Sequence, residues 1–303
     1  MPSIQAKMIS GIFKLAGVNK MLDKQGADFE KLLEKYQEKQ KKPLKIPYDK
    51  MKQFDIQTEE IGGTTCYTIA QKGKEPEKAV LYLFGGGYIL PPDPGDLILC
   101  GQIARACQAK VWFPLYPMAP EHRLVETLQS TLSVYQAILK EYDATKVRFF
   151  GTSSGGGQAI SLCVYIKQER PDVPFPARLV LQSPGLQVPP SKKQREEMEK
   201  KKKEDVMIPP SFFDNIAPVL ATGDEAYLLS PMLYDLAGFP PIDLFYGTRE
   251  VMMAYLSDFE KVCQRYGVKL HVHVGEGMMH CWGAMEFMPE AKAVRQEYFK
   301  ALD

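Results

Sequence analysis

Gly151-Thr152-Ser153-Ser154-Gly155 sits between an apolar run, VRFF at 147–150, and a stretch of helical composition, GGQAISLCVYIKQ. A serine at such a strand, turn and helix junction is held out at the end of a sheet, and its neighbours must be small because the backbone is approached closely there. Its hydroxyl is a weak nucleophile at neutral pH and requires a base. The chain offers only four histidines. His271 and His273 alternate within LHVHV, so they share one sheet face and read as packing residues, while His122 in APEHR reads as a loop tie. His280 follows the strand LHVHV in the loop GEGMMH, at the strand end where open α/β sheets place their sites, and is the candidate base.

An imidazolium needs a carboxylate to fix its tautomer and offset its charge. Glu250 follows IDLFYGTR and is the only acid at that turn; Asp258 lies two helical turns further on and should face solvent or a neighbouring helix. The chain order is then serine, acid, histidine. Upstream, Gly85-Gly86-Gly87-Tyr88 follows the apolar run AVLYLF. The amides of Gly85 and Gly86, with that of Ser154, are candidate donors to the oxyanion of a tetrahedral intermediate. Tyr88, Phe212, Phe213, Met252, Met253 and Met279, with Met278 beside them, are candidates for lining an apolar acyl site, although each would serve equally well as core.

The elements that must position these groups can be traced along the chain. Residues 1–50 are helical in tendency and end in the proline-marked, charged stretch KQKKPLKIPYDK, giving an N-terminal cap segment. A β-hairpin follows, FDIQTEE and TTCYTIAQ around Gly62-Gly63. Short apolar runs at 79–84, 110–115, 147–150, 178–182, 242–246 and 270–274 then alternate with amphipathic connectors, clearest at 124–142 and 251–267. That alternation predicts an α/β fold with a mostly parallel central sheet flanked by helices. Residues 51–303 form the catalytic domain, and an insertion at about 186–228 lies over the strand ends. Its charge run, SKKQREEMEKKKKED, reads as a solvated, mobile helix or loop.

Basic and acidic residues balance, 38 against 37, which leaves no field to attract nucleic acid. The six cysteines are scattered without a C-x-x-C pair and read as reduced core thiols. With no leader-like segment and no run long enough to span or insert stably in a bilayer, a cytoplasmic location is expected. Residues 8–22 carry an amphipathic pattern through Ile9, Ile12, Phe13, Leu15 and Leu22, a face expected to pack on the protein's own body.

With these residues placed, the chain resembles the hormone-sensitive-lipase-like esterases of the α/β-hydrolase fold, in the branch whose elbow reads GTSAG. The resemblance runs from about Val80 to Phe299 and is carried by GGGY at 85–88, YPMAPEHR at 116–123, GTSSGG at 151–156, SPMLYDLAGFPP at 230–241, YGTRE at 246–250 and EGMMHCW at 276–282. It implies a helical cap, no metal or organic cofactor, and cleavage of short- or medium-chain carboxylic esters as small-molecule substrates. A homodimer is compatible with it. The chain departs from the family pattern at Phe84, where the oxyanion loop usually begins with histidine, at Ser154, usually alanine, and at Ala254, where an acid is frequent. An amidase or peptidase would use the same three residues. A ligand-binding module is the non-enzymatic reading, since plant gibberellin receptors resemble this family but lack the histidine that His280 supplies here.

Overall fold

AVLYLF, VRFF and RLVLQ are apolar without a break, a pattern that suits strands covered on both faces. The computed structural model, which describes residues 1–303, turns them into β3 (Lys78–Leu83), β5 (Val147–Thr152) and β6 (Arg178–Gln182). The other strands are β1 (Phe54–Ile61), β2 (Thr64–Gln71), β4 (Ala109–Pro114), β7 (Ile242–Gly247) and β8 (Leu270–Gly275). All eight form one sheet in the order β1-β2-β4-β3-β5-β6-β7-β8. Only β2 runs against its neighbours, β1 and β4; from β4 to β8 every pair is parallel.

Eleven helices complete the chain: α1 (Ile4–Ala16), α2 (Val18–Leu22), α3 (Ala27–Gln40), α4 (Tyr48–Met51), α5 (Pro94–Ala106), α6 (Leu124–Glu141), α7 (Ser154–Glu169), α8 (Lys192–Lys201), α9 (Ser211–Leu220), α10 (Leu256–Tyr266) and α11 (Pro289–Leu302). Adjacent residues of a strand point to opposite faces. Phe149 meets Tyr135 of α6 edge-on, while Phe150 meets Tyr298 of α11, so these two helices cover opposite sides of β5. One continuous apolar core joins the sheet to both layers.

The N-terminal helices and the 186–228 insertion lie together. Phe29 of α3 packs against Phe212 of α9, Asn215 Nδ2 donates to the carbonyl of Lys24 at 2.8 Å, and Ser211 donates to Asp23.

Three expectations need correction. Residues 251–267 are not one helix: a 3-10 turn at Val251–Tyr255, entered by the Met253 amide donating to the Glu250 carbonyl at 3.3 Å, precedes α10. The charge run is a docked helix rather than a mobile one. Ser191 and Gln194 cap α8 reciprocally, Met198 is fully buried, and Lys201 Nζ donates to the Thr248 carbonyl at 2.7 Å. Finally, α1 packs only half of its apolar surface. Ala6 is buried and Ile9 and Phe13 are partly so, yet Ile12 and Leu15 stand in solvent, as do Ile4 and Met8. No helix is long and apolar enough to cross a membrane.

Candidate active site

In the sheet, β3 lies beside β5, with Leu83 paired to Gly151, and β7 lies beside β8, with Gly247 paired to Gly275. The loops that leave these four strand ends carry the four candidate groups. Strand order reverses around β3, and clefts in open α/β sheets form outside the strand ends at such a point.

Ser153 occupies the turn between β5 and α7 with φ of 52° and ψ of −122°, a left-handed conformation costly for a residue with a Cβ. Its amide donates to the Gln182 carbonyl at 2.8 Å, and its own carbonyl accepts the amides of Gly156 and Gly157 in the first turn of α7. The turn closes this tightly because Gly155 has no side chain: a Cβ there would stand 2.2 Å from the Leu83 carbonyl oxygen. The Ser153 hydroxyl lies 2.9 Å from His280 Nε2, and His280 Nδ1 lies 2.7 Å from Glu250 Oε2. With Glu250 ionised, Nδ1 carries the ring proton and Nε2 is free to accept. All three side chains are buried, Glu250 completely.

The carboxylate is held from several sides. Glu250 Oε1 accepts from the Gly247 amide at 2.5 Å and from Ser183 Oγ at 3.0 Å, and Ser183 Oγ in turn accepts the Cys281 amide at 3.1 Å. Burial raises the Glu250 pKa, opposed by the His280 ring and the Gly247 amide. At His280 burial alone would disfavour the charged ring. The Cys281 sulfur 3.5 Å from Nε2 and the Glu250 carboxylate outweigh it, so the pKa stands well above the ordinary 6.5.

The glycine loop after β3 is seated against the serine: a Cβ on Gly85 would come within 3.1 Å of the Ser153 Cβ. The amides of Gly85, Gly86 and Ser154 donate to no protein acceptor, and all three residues border the same cavity. Phe84 occupies the usual histidine position and stacks flat on Tyr116, ring centroids 4.1 Å apart, while Tyr116 Oη donates to the Phe84 carbonyl at 2.6 Å. An aromatic stack thus steadies the loop where a polar side chain was expected. Tyr88 Oη donates to the Ser154 carbonyl at 3.0 Å, fastening the loop to the elbow.

The cavity above Ser153 measures about 320 Å³ and is chiefly apolar. Tyr88, Phe212, Phe213 and Met252 line it, whereas Met253, Met278 and Met279 do not. Met252 and Met253 are consecutive in a 3-10 turn, so only one can face the cavity. Met278 and Met279 are buried within the His280 loop itself, their carbonyls against Gly247. Val18 and Leu22 of α2 and Ile216 and Leu220 of α9 line it as well, contributions that the sequence did not disclose. His271 and His273 lie away from it on the edge strand, where His273 stacks on Phe245 and reaches Asp243 at 3.1 Å.

Asp205, beside the site, is the residue that sequence reasoning missed. It closes the charge run, yet it is buried, and its oxygens accept from Met207 and Ile208 at 2.8 and 2.9 Å and from Val251, next to Glu250, at 2.8 Å. Burial raises its pKa, opposed by His280 and these amides. Cys281 departs from the expectation of buried thiols: it is half-buried and lines the cavity beside the imidazole. No group of three or more His, Cys, Asp or Glu side chains is arranged to hold a metal ion.

This sheet, with a serine elbow and a histidine–carboxylate pair at its strand ends, is the architecture of an α/β hydrolase. A family model described as alpha/beta hydrolase fold matches residues 80–284, and the chain belongs to that family. An esterase of Acinetobacter venetianus is 28% identical over 221 residues, covering 70% of each chain. An acetyl-hydrolase of Streptomyces hygroscopicus is 22% identical over 252 residues, 79% of this chain and 82% of its own. Among solved structures, an esterase from the bacterial hormone-sensitive lipase family superposes with a TM-score of 0.79 at 22% identity, covering 100% of this chain and 98% of that one.

Proposed function

We propose that this protein is a serine esterase that cleaves short- or medium-chain carboxylic esters through an acyl-enzyme. The observation that carries the reading is the buried hydrogen-bonded chain Ser153–His280–Glu250 ending at an apolar cavity beside three amides without acceptors. The esterase and acetyl-hydrolase names of the relatives support the same class of bond.

In the first half-reaction Ser153 Oγ attacks the ester carbonyl carbon and its proton passes to His280 Nε2. The carbonyl oxygen gains the charge and is held by the amides of Gly85, Gly86 and Ser154, each donor contributing about 2.7–4 kcal/mol to the transition state. His280 then protonates the leaving alkoxide as the C–O bond breaks, leaving an acyl group on Ser153. Water enters, gives its proton to His280, and the same steps release the acid. Glu250 keeps Nδ1 protonated and offsets the imidazolium charge throughout.

The acyl chain lies against Phe212, Phe213 and Met252, in a cavity at the small end of the roughly 300–1,000 Å³ spanned by small-molecule sites. Short and medium chains suit that volume. Replacing Ser153 by alanine is expected to lower kcat on p-nitrophenyl butyrate by about 10⁴-fold or more, and to abolish labelling by a fluorophosphonate probe. Turnover left intact would overturn the proposal.

A further inference from the structure

The helix α1 presents a bare apolar ridge. Ile4, Met8, Ile12 and Leu15 are 74%, 61%, 53% and 90% exposed. At about 100° per residue they fall within roughly an 80° arc, opposite the side on which Ala6 and Phe13 pack. Lys7 and Lys14 run along one edge of the ridge, with Gln5 and Ala16 along the other, Lys20 follows on α2, and no acidic residue occurs from Met1 to Leu22. The ridge is joined to the cavity above Ser153 by a single turn of chain: α2 follows α1 after the left-handed turn at Gly17, and its Val18 and Leu22 form part of the cavity wall.

We propose that this face of α1 is a docking surface for an anionic phospholipid bilayer. Docking brings the cavity close to the lipid, so that the substrates include esters that partition into membranes; this last clause rests on the esterase reading. An apolar arc with lysines along one edge and no acid in the helix suits an interfacial helix: the side chains enter the acyl boundary while the lysines meet the headgroup phosphates. A second copy of the chain is the poorer occupant, since a two-fold contact through this face would set cationic helix against cationic helix.

The test is co-sedimentation of the full chain with phosphatidylcholine vesicles prepared with and without phosphatidylglycerol. Association is expected to be about tenfold or more tighter when phosphatidylglycerol is present, and to weaken in high salt. The combined variant Ile4→Ser, Met8→Ser, Ile12→Ser, Leu15→Ser should lose association about 100-fold. The pair Lys7→Glu, Lys14→Glu should lose the preference for phosphatidylglycerol. Both should hydrolyse p-nitrophenyl butyrate in vesicle-free buffer at the wild-type rate, which also reports that they are folded. Wild-type protein that stays in the supernatant, or a fourfold α1 variant that sediments equally, would overturn the proposal. So would a lipid-free dimer that the fourfold α1 variant loses, which would assign the face to a second copy. Ser153→Ala protein should still sediment, so failure of the esterase reading and failure of docking are separable.

Discussion

At the scale of single residues, the proposed reaction turns on one proton acceptor whose basicity is set by its contacts. Because the His280 pKa is raised above 6.5 and the ring must be uncharged to take the Ser153 proton, lowering the pH through that pKa removes the active form. The acid limb of kcat/KM is therefore expected above pH 6.5, with full activity on its alkaline side. Cys281 is one source of the rise, so Cys281→Ala should move the limb to lower pH while leaving the Ser153–His280 pair in place. A limb that stays fixed in the variant, or that lies below 6.5 in the wild type, would refute this account of the base. At this scale much of the site could be read from sequence. The elbow is a local motif, and a chain with four histidines leaves few choices of base. Met252 and Met253 show where that reading ends, since nothing in their order tells which one a 3-10 turn aims at the cavity.

At the scale of elements, the insertion does more than roof the cavity. Lys201 of α8 holds the Thr248 carbonyl and Asp205 holds the Val251 amide, so the turn carrying Glu250 is gripped on both sides. Asparagine at 205 would set an NH₂ group against at least one of three amide donors. Asp205→Asn is accordingly expected to lower kcat about tenfold with KM little changed, and to cost about 1–3 kcal/mol of stability for an amide left without its acceptor. A stopped assay on p-nitrophenyl butyrate and a denaturant melt would check both, and an unaltered kcat would mean that the grip does not position the acid. Asp205 was not legible in the sequence because its meaning is tertiary. It ends a run of lysines and glutamates that suits solvent, and only the docking of α8 against the strand ends buries it. The central strands, by contrast, were legible almost to the residue, since an unbroken apolar run needs no partner to identify it.

At the scale of the whole molecule, the N-terminal segment is tied to the chemistry from a distance. Gln40 at the end of α3 donates to the carbonyls of Ile89 and Ala119, both at 2.8 Å, fixing the loops that follow Gly87 and Pro117. Gln40→Ala leaves both carbonyls without this donor. A stability loss of about 1–2 kcal/mol is expected, along with a fall in kcat as the glycine loop loosens. Thermal unfolding followed beside turnover would test it; equal activity with a lowered melting temperature would confine Gln40 to stability. This coupling, like the outward face of α1, follows from how distant segments come to rest on one another, which hydrophobic period alone does not specify.

The sheet order divides the site unequally. The serine and the glycine loop leave β5 and β3, which have neighbours on both sides, whereas the histidine leaves β8, the rim of the sheet. Damage at that rim would disarm the protein while leaving its apolar chamber, its free amides and its hydroxyl where they stand. On the proposed mechanism, what separates a catalyst from a mere receptor for the same small molecules is the end of one outermost strand.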